Sequence, residues 1–160
     1  MKIMKVLIIY DSTFGNTEKI ARVIAKTLGG FGEVRLSHID KMNPLDLEGI
    51  DILIIGCPIQ RHKPTLGIRD FLEQVSKGTL KGFLAATFDT RYRMPRWKSG
   101  SAAHVIAKKL RKRGCSLLLS PESFFVAGKE GPLEYKERDR AVNWARMILE
   151  KYNITAEGGV

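Results

Sequence analysis

The sequence predicts an α/β domain whose parallel sheet is covered by helices on both faces, and three observations predict it. Four short apolar runs, KVLIIY (5–10), DILIIGC (51–57), GFLAATF (82–88) and SLLLS (116–120), are continuous rather than alternating, which is the pattern of strands buried on both sides. Segments with apolar residues at helical spacing stand between them. Strands that alternate with helices require right-handed crossovers, and these place helices on both faces of a parallel sheet.

Taken in order, the first strand (5–10) is followed by a helix carrying Ile20, Val23, Ile24, Thr27 and Leu28, stopped at Gly29 and Gly30. VRLSHI (34–39) is a weaker, edge strand, and the strand at 51–57 leads to a helix with Ile68, Phe71, Leu72 and Val75, stopped by Gly78. After the strand at 82–88 come Val105, Ile106, Lys109 and Leu110 with a stop at Gly114, and then the strand at 116–120. SPESFFVAGKEG (120–131) continues or follows that strand, and Val142, Ala145, Met147 and Ile148 mark the last helix. No repeat, low-complexity tract or linker interrupts the chain, so residues 1–160 are expected to form a single domain.

A chain of 160 residues that is 44% hydrophobic buries a sufficient core without disulfides or a structural metal. Cys57 and Cys115 stand outside any CxxC or Cys/His spacing, and His38, His62 and His104 form no ligand pattern. No apolar run approaches the roughly 18 to 20 residues that span a bilayer, and Met1 to Tyr10 lacks a signal-peptide cleavage site. A soluble, cytoplasmic protein without membrane insertion is expected.

Charge is distributed unevenly. Residues 1–80 hold 11 Lys+Arg against 9 Asp+Glu, whereas residues 81–160 hold 16 against 8. Arg91, Arg93, Arg96, Lys98, Lys108, Lys109, Arg111, Lys112 and Arg113 follow one another with no acid between them. Such a face attracts acidic proteins, anionic lipid heads or polyanions at low salt. Nucleic acid is the weaker reading: HVIAKKLRKRG (104–114) has few interleaved aromatics, no nucleic-acid motif, and cations that suit a helix C-terminus in any case.

In an open parallel sheet, ligands sit beyond the carboxyl ends of the strands, where the strand order reverses. The loops to read are those after Tyr10, Cys57 and Phe88. In the first, Ser12, Thr13, Phe14, Gly15, Asn16 and Thr17 join a strand to a helix, so backbone N–H groups and the positive end of the helix dipole converge there. Ser12, Thr13 and Thr17 add hydroxyl donors, and Gly15 lets the backbone approach closely. The lysine of GxxxxGK[ST] is missing and no GxGxxG follows the strand, which disfavours a triphosphate or a dinucleotide. A single terminal phosphate held by neutral donors remains, beside the plainer reading that these residues only cap the helix.

The whole stretch IIYDSTFGNTEKIARVI resembles the flavodoxin signature at Ile8, Ile9, Tyr10, Ser12, Gly15, Thr17, Ala21 and Ile24, and it is similar to the flavodoxin module of flavodiiron proteins. The resemblance implies a short-chain flavodoxin-like three-layer sandwich with five parallel strands in the order 2-1-3-4-5, and FMN bound noncovalently. Flavodoxins are themselves the usual illustration of this topology, with FMN at the switch between strands 1 and 3.

The resemblance further implies that the two later loops sandwich the flavin ring. The first carries Cys57 followed by Pro58, Ile59, Gln60, Arg61 and His62, where the family has a Ser-Pro-Thr type turn and then an aromatic or glycines, so Ile59 is the apolar contact and Gln60, Arg61 and His62 the polar ones. The second carries Phe88, Asp89, Thr90, Arg91 and Tyr92, with Tyr92 as the stacking aromatic. Asp89 either accepts from the flavin N3–H or caps the turn, and Trp97 either packs on the body or is exposed for a partner. Arg61, His62, Arg91 and Arg93 are expected either to lie near the ring, favouring its reduced anionic form, or to be solvated surface groups.

Under the resemblance the protein is an electron carrier working in one- or two-electron steps. A basic rim implies an acidic redox partner, such as a ferredoxin-like protein, or a small-molecule electron acceptor. The alternative is an FMN-dependent NAD(P)H:quinone or protoporphyrinogen-type oxidoreductase, although the insertions that build a substrate pocket are missing.

Overall fold

A computed structural model describes residues 2–158. Its elements are β1 (Lys5–Tyr10), α1 (Asn16–Gly29), β2 (Glu33–His38), β3 (Ile52–Pro58), α2 (Leu66–Gln74), β4 (Leu84–Tyr92), α3 (Arg96–Ser99), α4 (Ala102–Lys112), β5 (Ser116–Leu117), β6 (Glu122–Val126) and α5 (Glu137–Gly158). All strand pairings in the sheet are parallel, in the order β2-β1-β3-β4-β5, with β6 also paired to β4. The fold class and strand order follow the expectation, with one strand more.

That sixth strand arises because the fifth is broken. Leu84 and Ala85 pair with Ser116 and Leu117, after which Phe88 to Tyr92 pair with Glu122 to Val126. Between Ala85 and Phe88 the neighbouring chain takes two residues more than β4 does, so the ladder bulges outward. Pro121 has no N–H to give to a ladder and lies in this gap. The run SLLLS is apolar for another reason than pairing: Leu118 and Leu119 lean on the core from the bulge.

Alternate residues of each strand enter two cores. On one face Val6, Ile8, Tyr10, Ile52, Ile54, Ala86 and Phe88 meet Ile20, Ala21, Ile24 and Leu28 of α1 and Ala141, Trp144, Ala145 and Ile148 of α5. On the other, Leu7, Ile9, Leu53, Ile55 and Cys57 meet Ile68, Phe71 and Leu72 of α2 and Ala102, Ile106 and Leu110 of α4. The α5 stripe differs from expectation, since Trp144 is its central core residue while Met147 is 49% exposed.

The larger correction concerns β4. It runs to Tyr92, so Phe88, Asp89, Thr90, Arg91 and Tyr92 form a strand and not a loop. Pairing with β3 up to Pro58 and with β6 up to Val126 holds these residues extended on both sides. Phe88 is wholly buried, edge-on to Phe124 and Trp144 at 5.9 Å each, and takes no part in a ligand site. Its ring lies over Gly56 of β3, where a Cβ would come within 2.1 Å of it. Among the described residues no helix is long and apolar enough to cross a membrane.

Candidate functional site

A cleft of about 920 Å³ opens at the carboxyl ends of β1, β3 and β4. Ser12, Thr13, Phe14, Asn16 and Thr17 line one side, Pro58, Ile59, Gln60 and Arg61 another, and Thr90, Arg91 and Tyr92 the floor and far wall. The structure therefore gathers most of the residues singled out from sequence. Lys63, Arg69, Val126 and Lys129 line it too and were missed. Lys63 closes the second loop's turn, Arg69 lies in the first turn of α2, and Lys129 lies in the 120–131 stretch that carried no motif, so only the cleft itself brings them into view.

The first loop is organised around Ser12. Its Oγ accepts from the N–H of Gly15 (3.0 Å) and of Glu18 (3.4 Å), closing a tight turn into α1. Gly15 stands at φ 91° immediately before the helix, a conformation glycine reaches without cost, and a Cβ there would meet no other atom within 4 Å. Gly15 thus shapes the loop without lining the cleft. The N–H groups of Thr13, Phe14, Asn16 and Thr17 have no acceptor among the described residues. These orphan donors, added to the hydroxyls of Thr13 and Thr17 and to the positive end of a 14-residue helix, fit a phosphomonoester.

Neighbouring segments are tied to this loop. Thr17 Oγ1 and Thr90 Oγ1 share a buried hydrogen bond of 2.7 Å, Gln60 Nε2 donates to Thr13 Oγ1 (3.1 Å), and Asn16 Nδ2 donates to the Glu130 carbonyl (3.3 Å). Just outside, the Tyr10 hydroxyl donates to Glu18 (2.8 Å). Burial and that bond push the Tyr10 phenol up, and the same bond holds the Glu18 carboxyl down.

Residues 60–63 form a tight turn in which Gln60 and Lys63 exchange both backbone hydrogen bonds. Arg61 (φ 49°) and His62 (φ 68°) occupy its two left-handed positions. The turn aims Arg61 and Lys63 at the cleft, while His62 backs onto Gly100, where a Cβ would come within 2.8 Å of its Cα. His62 is accordingly an exposed residue whose backbone meets the neighbouring loop, and not a lining residue.

On β4, Thr90 and Tyr92 line the cleft, and Asp89 and Arg91, which alternate with them, do not serve it as expected. Asp89 is fully buried, and its Oδ2 accepts from Ser101 Oγ (2.7 Å) and the Ala103 N–H (3.0 Å), capping α4. Arg91, 8% exposed, borders the cleft, but its guanidinium donates to Ser123 Oγ (2.9 Å), the Met94 carbonyl (2.6 Å) and Ser99 Oγ (3.0 Å), 3.8 Å from Asp89 Oδ1. It is neither a solvated surface group nor a cation free to face a ring. Arg93 is likewise engaged, in an ion pair with Glu134 at 2.9 Å and over the Phe125 ring. Among the described residues the cations left for the cleft are Arg61, Lys63, Arg69 and Lys129, and no Asp or Glu lines it.

The remaining chemistry is inert. Burial pushes the Cys57 thiol up to about 12 and the Cys115 thiol up to about 11, and the described residues hold no group of His, Cys, Asp and Glu suited to a metal ion.

The flavodoxin domain family model matches residues 7–110. A flavodoxin of Maridesulfovibrio salexigens is 28% identical over 152 residues, which is 92% of this chain and 98% of that one. Two further curated relatives match over 92 and 85 residues, so that the chain spans about half of their length. Among solved structures, oxidised flavodoxin 1 of Bacillus cereus superposes with a TM-score of 0.79 at 24% identity, covering 91% of this chain and 97% of that chain. Rubredoxin oxygen:oxidoreductase of Desulfovibrio gigas superposes with a TM-score of 0.77 at 19% identity, covering 95% of this chain but 37% of the other. The superpositions show a shared fold, and the family model bears out the resemblance drawn from the first loop.

Proposed function

This chain belongs to the flavodoxin domain family, whose cofactor is FMN, and we propose that it carries electrons in one- or two-electron steps between a protein donor and its acceptor. The observation that carries this reading is the set of orphan N–H groups and hydroxyls at the start of α1, inside a cleft wide open to solvent. Bound there, FMN supplies the redox chemistry, accepting and releasing electrons. The chain's own residues do the rest: Thr13, Thr17 and the N–H groups of residues 13, 14, 16 and 17 would hold the phosphate, and Ile59 and Tyr92 would flank the ring.

An acidic redox protein is the partner that a basic cleft rim favours, because opposite charge speeds encounter and fixes orientation. Two buried, unpaired thiols suit a reducing compartment such as the cytoplasm.

Titrating the apoprotein with FMN and with riboflavin tests the proposal through quenching of flavin fluorescence. Tight binding of FMN and much weaker binding of riboflavin is the expected result, and equal or absent binding of the two refutes the phosphate cradle. Steady-state oxidation of NAD(P)H with a quinone by the loaded protein would instead make it a reductase.

A further inference from the structure

The two tryptophans of this chain are placed in opposite ways. Trp144 is 4% exposed in the core, whereas Trp97 is 79% exposed on α3, a single turn between β4 and α4. Lys98 Nζ lies 5.1 Å from the centroid of the Trp97 ring. Lone exposed apolar residues are common and by themselves mean little. What sets this one apart is the amount of buried structure that holds its loop in place.

Residues 93–101 are fixed from three sides. Beneath them the Arg91 guanidinium donates to the Met94 carbonyl and to Ser99 Oγ, and is itself held by Ser123. At the far end Asp89 accepts from Ser101 and the Ala103 N–H. On the cleft side Gly100, at φ 74°, lies against the His62 backbone so closely that no Cβ fits. The Lys98 and Ser99 N–H groups return to the Pro95 carbonyl, making the tip compact. A rigid loop that presents an aromatic at little further entropy cost is how binding anchors are built, and Trp and Arg dominate such anchors.

Position and charge identify the occupant. The loop leaves β4 at Tyr92, which lines the cleft, and returns beside His62 on the turn that carries Arg61 and Lys63, so the loop that exposes Trp97 begins and ends against elements that line the cleft. Arg96 and Lys98 flank it, neither has an ion-pair partner among the described residues, and no acid occurs from Arg91 to Arg113.

We propose that Trp97, flanked by Arg96 and Lys98 on the pinned 93–101 loop, is the anchor by which this chain docks an acidic redox protein at the mouth of the cleft. The ring enters an apolar recess of the partner while the two cations meet carboxylates around it, bringing the partner's redox centre to the cleft edge. The inference rests on the electron-carrier reading, and FMN affinity, measured separately on each variant, tells a failure of docking from a failure of that reading.

The probe is an acidic [2Fe–2S] ferredoxin, titrated calorimetrically against the FMN-loaded wild type and the W97A, W97F and R96E/K98E variants at low and at physiological salt. Trp97→Ala should weaken binding at least ten-fold, about 1.4 kcal/mol, and Trp97→Phe less. The double reversal should slow association and flatten its salt dependence. FMN affinity of all three variants should equal that of the wild type, because none of these residues lines the cleft. Ferredoxin binding that W97A leaves unchanged, or no binding by the wild type, overturns the proposal. So does single-stranded oligonucleotide that binds more tightly than ferredoxin and quenches Trp97 fluorescence, since that would assign the loop to nucleic acid.

Discussion

The loop after β1 and the end of β4 both present hydroxyls and charges to the eye, yet one faces outward and the other inward. In the first, Ser12 closes the turn and leaves a row of N–H groups without acceptors, so that the loop is complete only with an anion. At the end of β4, Asp89 Oδ2 and the Arg91 guanidinium make their hydrogen bonds to the protein itself, and Asp89 Oδ1, with no hydrogen-bond partner among the described residues, lies 3.8 Å from Arg91 Nε. The difference teaches that polar residues at the carboxyl end of a central strand need not be ligand contacts. Where the strand is paired on both edges, every second side chain is directed into the fold.

The comparison breaks most visibly at Arg91. If its role is structural, Arg91→Met should cost about 3 to 5 kcal/mol of stability, the range for removing one partner of a buried charged pair, read from urea unfolding of the apoprotein. A loss confined to FMN affinity, with stability intact, would return Arg91 to the ligand site. Next in size is Gly56→Ala, which drives a methyl into the Phe88 ring. Overpacking of this kind costs about 1 to 3 kcal/mol, and urea unfolding reads it directly. An unchanged midpoint would mean that Phe88 is not clamped between β3 and α5.

On the outward-facing side the sign reverses. Thr13 is exposed, and its replacement by Ala should leave unfolding unchanged within about 0.5 kcal/mol, as for an ordinary surface site. It should weaken FMN roughly ten- to hundred-fold, since a hydrogen bond to a charged group contributes about 1.5 to 3 kcal/mol, and leave riboflavin affinity as it was. Parallel losses for both flavins would show that Thr13 acts through Gln60 on the ring and not through the phosphate.

Much of this was legible in the letters. The continuous apolar runs gave the parallel sheet because burial on both faces removes the need for alternation, and Gly29, Gly30 and Gly114 marked helix ends. The first loop was legible because its chemistry is local: hydroxyls, a left-handed glycine and a helix start are contiguous in sequence. The end of β4 was not, since Asp89, Thr90 and Arg91 interrupt the apolar pattern, and only pairing with β6, some thirty residues on, keeps them in a strand. The same holds for Lys129, which reaches the cleft because Asn16 binds the Glu130 carbonyl across the fold. Trp144 was missed since one large residue in a charged helix carries little periodic signal.

The smallest expected effect lies where the end of β4 meets α4. His104 is half-buried, with Nδ1 2.8 Å from Ser101 Oγ, and burial together with Arg96 lowers its pKa, with Arg91 and Arg111 adding to this and Asp89 opposing it. A folded state that disfavours the imidazolium binds its proton later than the unfolded chain does, for which the pKa is about 6.5. The contribution of His104 to stability is therefore complete above about pH 6.5 and is lost progressively as the pH falls from there toward the folded value. Because the ring remains partly solvated the slope should be shallow, and His104→Gln should abolish it without moving the stability measured at pH 8. A wild-type stability that rises on acidification across this window would mean that Asp89 outweighs the arginines around His104, and that the buried Asp89–Arg91 pair is open enough to share its charge with α4.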